Sequence, residues 1–410
     1  MYKAHDVDST QFEALPDESD MRRASAVPHQ NTIFRQLTNQ LPWTTLDRLV
    51  SQHRADKGVR QLRTKEMLLT LLFAQVSEAK SLRDIEYLPE SQDAHRYHSG
   101  LRRIKRSTLA DATSRPAEVF TGVLSALIPC VTCELRRGVG ECVRLIDSAT
   151  VPLSNLSADW SRFSAILYGA KAHVVYDPGA DCPLYLGVSP ARVNDITAAN
   201  EMPSDAGATY VFDLGYYDFG WWAKLDDAAC GIVTPLKRNT PLQVIKTLAV
   251  PADAQNIVSD RIGRLPPRQM HSRRNPMQVA VREIGVKLET GAQLRILTND
   301  LDAPATQIAD LYKRRWAIGL FFRWIKHTLK MRHFYRVSEN AVRIQIAVTL
   351  IAFVPIKLAR GTHGAVEGLG QFARLVRANI MHRKSIGDLR RNATLFEVGP
   401  DQNHAQGVRR

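Results

Sequence analysis

Residues 311 to 330 read LYKRRWAIGLFFRWIKHTLK. At about 100° per residue, Tyr312, Arg315, Gly319 and Lys326 fall on one face of a helix. Trp316, Leu320, Phe321, Trp324 and Ile325 supply apolar contacts around that face, with Trp316 and Trp324 read as core side chains. Gly319 is out of character, because Gly in a helix interior costs about 1 kcal/mol relative to Ala. Tyr, Arg and Lys make a phosphate-handling set. A carboxylate among them would complete a metal-and-phosphate site, and position 319 has no side chain to supply one.

Upstream, strand-like runs bring acids. In CVRLIDSATVPL, Asp147 follows Val143, Leu145 and Ile146 and precedes Ser148. In TYVFDLGYYD, Asp213 follows Tyr210, Val211 and Phe212. An Asp beside a buried strand is costly unless solvated, paired or metal-bound. Taken singly, either is more often a turn or capping residue; as a pair with the downstream helix, the functional reading gains. AHVVYD, PLYLGVSP, GIVTPLK, VAVREIGVKL and LRILTND are further strands, and Trp221 to Ala229 reads as a helix. Strands followed by helices predict a mixed sheet with helices packed on it, an α/β fold.

The spacing of Tyr312, Arg315, position 319 and Lys326 resembles the Y-R-E-K signature of the insertion sequence 4 family of DDE transposases: Tyr, two residues, Arg, three residues, Glu, six residues, Lys. The Glu position here is Gly319. Asp147-Ser148 resembles that family's first Asp, and Asp213, Gly215, Tyr216 and Asp218 resemble its D-x-G-Y-x-D element. The gaps, 213 − 147 = 66 and 319 − 213 = 106 residues, leave room for the family's β-rich insertion. The resemblance covers most of residues 30 to 360. It implies an RNase H-like mixed sheet with a β-rich insertion at about 231–300, preceded by a helical N-terminal domain.

It also implies an activity, Mg²⁺-dependent cleavage of DNA at element ends and joining of the 3′ hydroxyl to a target. Asp147 and Asp213 would be the metal ligands, and Gly319 stands where the third catalytic carboxylate is expected. Arg315, Lys326 and Tyr312 would contact double-stranded DNA at the transposon ends, with a homodimer in the DNA complex. The chemistry uses two Mg²⁺ ions about 4 Å apart, for which carboxylates are natural hard ligands. With two Asp and no Glu, one metal is under-coordinated. Asp310 lies on the opposite face of the helix and Glu339 beyond it, so neither replaces the missing acid. Pro235 and Pro355 each remove a backbone donor and, with Gly319, suggest a decayed copy.

Composition agrees with a nucleic-acid partner. The 410 residues carry a net charge of +14 and a pI of about 9.7, with 44% hydrophobic and 23% charged residues. Basic clusters at Arg102, Arg103, Lys105 and Arg106, at Arg136 and Arg137, at Arg273 and Arg274, and at Lys313 to Arg315 spread over several elements. A generic basic protein has the same totals. Five cysteines and no secretory signal predict a reduced, cytoplasmic protein. Cys130 and Cys133 form a lone CxxC without a second pair at zinc-finger spacing, so the thiols read as unmetallated. The apolar run from Ile344 to Ile356 is too short and interrupted to span a bilayer.

The expected organisation is a disordered acidic tail over 1–28, a helical N-terminal domain over 29–138, a catalytic domain over 139–360 and a C-terminal tail over 361–410. Helices are expected around Leu46 to His53, Met67 to Val76 and Ser81 to Leu88, after an N-cap at Ser107, and over a long stretch from Ser338. SLRDIEYLP and STLADATSRP, linked by RRIKR, make either a helix-turn-helix-like DNA reader or a plain bundle with a solvated charged loop. Two rivals to the transposase reading stay open: a non-catalytic DNA-binding protein such as a repressor of its own element, and a structure-specific nuclease on the same fold.

Overall fold

A computed structural model describes residues 31–87, 97–135, 142–164, 166–250, 254–269, 273–329, 334–364 and 367–389. The acidic stretch 1–28, the Arg136–Arg137 pair and the side chains of Cys130 and Cys133 lie outside them.

Helices come first, among them α1 (Ile33–Thr38), α2 (Trp43–Gln52), α3 (Thr64–Val76), α4 (Leu82–Tyr87), α5 (Arg106–Ala112) and α6 (Ala117–Leu135). The expected positions hold, with one shift. Lys105, not Ser107, is the N-cap of α5. The α3 helix is buried on all sides, so its Leu and Met residues show no amphipathic stripe.

The strands follow: β1 (Val143–Pro152), β2 (Gly169–Asp177), β3 (Cys182–Pro190), β4 (Thr209–Val211), β5 (Gly231–Pro235), β6 (Gln243–Thr247), β7 (Ile257–Arg264), the short ribbon β8 (Arg268–Gln269) with β9 (Arg273–Arg274), β10 (Val281–Lys287) and β11 (Gln293–Thr298). Apart from the ribbon they form one sheet, in the order β3-β2-β1-β4-β5-β11-β10-β7-β6. Strands β1, β4 and β5 are mutually parallel and every other pairing is antiparallel. Apart from that ribbon, the β-rich stretch 231–300 lies within this sheet. It begins with a strand paired to β4, and its later strands extend the same sheet.

Side-chain alternation along β1 separates two cores. Leu145, Ala149 and Val151 face the core shared with the N-terminal helices, whereas Ile146 faces a second core built on Phe212, Tyr216, Trp221 and Trp222. The first core runs without a gap from Ile33 to Leu389.

The chain then forms α7 (Asp195–Ala199) and α8 (Phe219–Asp227) between strands, and α9 (Ala305–Arg314), α10 (Trp316–Thr328), α11 (Glu339–Thr362) and α12 (Leu369–Ala378) after them. By length and composition α11 could cross a membrane, but 94% of its apolar window is buried inside the protein, so it is the core helix of this fold. It runs unbroken through Pro355. Pro235 ends β5 opposite Ile296, and the next amide, of Leu236, donates to Arg295 O at 2.7 Å. Neither proline breaks an element, so neither marks decay. The expected tail from 361 is corrected over its described part. Phe372, Ala373 and Val376 of α12 enter the core, and the amides of Ile33 and Phe34 donate to the carbonyls of His382 and Ile380.

The sheet extension is held by buried charge. Arg282 forms a bidentate pair with Asp260 (Nε to Oδ1 2.8 Å, Nη2 to Oδ2 2.7 Å). Glu283, fully buried, accepts from Arg261 and Arg295. Burial pushes its carboxyl up, but the hydrogen bonds from Arg295 and Arg261 outweigh this and hold it below the usual carboxylate range. Glu283→Ala leaves two guanidiniums without their counter-charge and should destabilise the fold by about 3 kcal/mol. A chemical-denaturation midpoint within error of the parent would contradict this role.

Candidate active site

The parallel register sets the site. Val143 pairs with Thr209 and Leu145 with Val211. Asp147 and Asp213 each lie two residues beyond the Leu145–Val211 pair, Asp147 still within β1 and Asp213 just past the end of β4. Both share the face of Leu145 and Val211, because side chains alternate along each strand. Asp147 sits within β1, not at its end, and its Oδ1 accepts from the Ser148 amide at 2.8 Å. Asp213 caps the turn after β4, accepting from the Gly215 amide at 2.8 Å. A Cβ at Gly215 would stand 3.0 Å from Asp213 Oδ1 and 3.1 Å from Asp195 Oδ2, a tight fit. Asp218 caps α8, accepting from the Trp221 amide.

The helix meets the two acids at Arg315. Its Nη1 lies 3.9 Å from Asp147 Oδ2 and 3.9 Å from Asp213 Oδ2. Arg315 is also the junction of α9 and α10. The amides of Arg315 and Ile318 bond three residues back, to Tyr312 O and Arg315 O. This tightened turn keeps an α-like backbone, so the single helical face expected from the sequence survives as two helices in series. Tyr312 lies against the Arg315 guanidinium, 5.7 Å from ring centroid to Cζ. Gly319 follows one turn after Arg315, and a Cβ at 319 would meet no heavy atom within 4 Å. Lys326 is half-buried two turns beyond Gly319 on the same face.

The rest of α10 divides by angle. Ile318, Phe321, Phe322 and Ile325 are buried. Trp316 and Leu320 point nearly the opposite way and are 69% and 56% exposed. Trp316 is therefore not a core residue, while Trp324 does pack, 5.1 Å from the Phe353 ring.

Electrostatics mark Asp147 as the strained group. Burial raises its pKa to about 6, with the like charges of Asp213 and Asp195 adding to the shift, against the Ser148 amide and Arg315. The pair thus holds more negative charge than one guanidinium at 3.9 Å offsets, which suits a divalent cation bound by oxygen. Among the described residues, no group of three or more His, Cys, Asp or Glu side chains converges on a metal position. Asp147 and Asp213 could hold such a cation through their carboxylate oxygens. Asp310 is exposed and Glu339 is paired with Arg343, as expected of acids that do not replace the missing one.

One acid near the site was not legible in the sequence. Asp195, at the start of α7, accepts from Ser148 Oγ (2.9 Å) and Lys171 Nζ (3.0 Å) and lies 3.7 Å from His173 Nδ1. His173 and Lys171 lie opposite Ser148 and Thr150 across the β1–β2 ladder, on the face away from Asp147. Asp195 therefore braces the strand that carries Asp147. Burial lowers the His173 pKa to about 4, so the imidazole is neutral near pH 7 and this network carries no extra cation. Cys182 and Cys230 are buried thiols.

Residues 139–354 match the family model described as the transposase DDE domain. The chain belongs to the DDE transposase family. That match spans β1 through α10 and most of α11, which includes Asp147, Asp213, Arg315 and position 319. Residues 29–102 match a domain of unknown function, DUF4372. The chain is 35% identical to a Sinorhizobium fredii protein carrying a transposase name, y4zB, over 69% of this chain and 79% of that protein. It is 26% identical to a Geobacillus stearothermophilus protein named for the transposase of insertion sequence element IS5377, over 63% of this chain and 68% of that one. A piggyBac transposase chain, from a cryo-electron microscopy structure of a synaptic complex with hairpin DNA, is a distant likeness. Its TM-score is 0.40 at 12% identity, over 88% of this chain and 81% of that one.

Proposed function

We propose that this protein is the transposase of an insertion sequence, acting on double-stranded DNA at the element ends and at a target. The observation that carries the reading is that Asp147 and Asp213 each lie two residues beyond the Leu145–Val211 pair, with Arg315 between them. The antiparallel β3-β2-β1 hairpins followed by parallel β4 and β5 support an RNase H-like core for residues 139–360. Asp147 and Asp213 would hold a divalent cation, with Mg²⁺ the best match to two hard carboxylates. When bound, it supplies charge stabilisation for phosphodiester cleavage and for attack of a 3′ hydroxyl on a second strand.

The chain's own residues then have separate tasks. Arg315 neutralises the acids without cation and is placed to turn toward a phosphate when one arrives. Its Nε is buried with no partner, a donor still to be satisfied. Tyr312 packs on Arg315 and fixes its plane. Lys326 places a second positive charge along the same face. Reading the ends as a homodimer and working in the cytoplasm fit a transposase of this kind. The helices α1 to α6 lead into the catalytic part.

With Gly319 in the third place, the site binds DNA better than it cuts it. That favours a second reading, a DNA-binding repressor derived from a transposase, and Gly319 is the observation behind it. Both readings require DNA affinity that falls steeply with salt, as expected from the net charge of +14. Equilibrium binding to duplex DNA across a salt series checks this. Negligible binding at low salt would sink both.

A further inference from the structure

The N-terminal helices carry a basic feature of their own, in a region matching a domain with no assigned function. The turn between α2 and α3 and the α5 segment enclose a cleft of about 590 Å³. Arg54, Lys57 and Arg60 line one side, and Thr108, Asp111 and Ser114 line the other. The backbone turns left-handed at Arg54 (φ 50°) and at Gly58 (φ 75°), which folds the turn back on itself. All three cations are exposed, and among the described residues none has a carboxylate within ion-pair distance.

The acids close by do not cancel them. Asp56 accepts from the Thr64 amide (2.8 Å) and hydroxyl (2.6 Å) and lies 3.9 Å from the buried Arg115 Nε, so its charge is used within the fold. Asp111 is the one acid left on the rim. Arg115 itself is anchored on Leu62 O and fixes the floor. Three exposed cations facing hydroxyls across an open cleft is the set that grips a nucleic-acid backbone, where Arg, Lys, Ser and Thr reach phosphate oxygens. A small-molecule site would instead be mostly apolar and enclosed. Charges spread along a seven-residue turn suit successive phosphates of one strand more than a single anion.

We propose that this cleft binds the phosphate backbone of duplex DNA, as a positioning contact separate from the carboxylate site. The proposal rests on the reading of the chain as a DNA-acting protein and assigns that role to a definite surface. Phosphate contacts set register and carry no sequence information. The cleft should therefore strengthen binding to element ends and to arbitrary duplex alike.

The test uses the full chain and its triple variant Arg54→Gln, Lys57→Gln, Arg60→Gln. Affinity for a duplex of arbitrary sequence is measured from about 50 to 200 mM salt. Each phosphate contact contributes about 0.9 to the slope of log K against log salt. The variant should lose about 2 to 3 from that slope and bind roughly 50-fold or more weakly near 0.1 M salt, with its melting temperature unchanged. An unchanged slope and affinity in a folded triple variant would overturn the cleft while leaving the DNA-binding reading intact. Absence of salt-dependent binding by the parent would overturn both. If the triple variant folds poorly, Arg60→Gln alone should still lower the slope by about 1, and no change there overturns the cleft.

Discussion

Gly319→Glu should raise Mg²⁺-dependent cleavage of a cognate element end by roughly 100-fold or more, the scale on which a single preorganised charge-stabilising contact acts in a transition state. Room for the side chain exists, because the Cβ direction at 319 is open and points along the face of Arg315. The substitution also replaces the poorest ordinary helix former inside α10, a gain of several tenths of a kcal/mol or more. A third carboxylate beside Asp147 and Asp213 adds like-charge repulsion, which offsets that gain when no cation is present. The melting temperature of Gly319→Glu should therefore rise clearly only when Mg²⁺ is added. Because Pro235 and Pro355 fit their elements, they give no reason for rescue to fail. Strong Mg²⁺-dependent strand transfer by the unmodified chain, abolished by Asp147→Ala, would mean that another group fills the third place.

Asp147→Asn should stabilise the protein at neutral pH while removing its response to divalent cations. The folded state holds the Asp147 proton up to about pH 6, against 3.8 ordinarily. The folded protein thus takes up this proton more readily than the unfolded chain. The stabilisation is full below about pH 4 and is lost as pH rises through 6. At pH 8 the ionised carboxylate costs up to about 3 kcal/mol relative to its cost in the unfolded chain. Asparagine removes that charge with little change in shape. Its variant should unfold later than the parent at pH 8, by about 1 to 3 kcal/mol, and with the parent near pH 4. A lower stability of Asp147→Asn at pH 8 would show that the carboxylate is favourably paired and not strained.

Much of the site could be read in the sequence because it rests on local periods. The Tyr312, Arg315, Gly319 and Lys326 face is a helical repeat, and it survives the tightened turn at Arg315. The spacing of 66 residues between Asp147 and Asp213 is also the register offset of β1 and β4, since 211 − 145 is 66. Sequence could supply the spacing but not the pairing that gives it meaning. The Asp195, Lys171 and His173 network was out of reach for the same reason. Its members lie on two elements 22 to 47 residues from their partners, and α7 has only five residues.

Trp316 was misplaced because a large apolar residue in an apolar stretch reads as core. The helical angle itself separates it from Ile318, Phe322 and Ile325. That hydrogen bonding joins β5 to β4 and β11 to β5, so that the strands after β5 extend the same sheet, is a pairing that strand patterns alone do not give. The end of the chain looked polar because α12 buries only Phe372, Ala373 and Val376.

The central claim is that Asp147 and Asp213 form one divalent-cation site left a ligand short at position 319. Calorimetric titration of Mn²⁺ into the folded protein, its Asp147→Ala and Asp213→Ala variants, and Gly319→Glu tests it without reference to DNA chemistry. The account predicts weak binding by the parent, none by either Asp variant, and binding tightened by roughly tenfold or more in Gly319→Glu. Mn²⁺ binding by the parent that both Asp variants retain would contradict it.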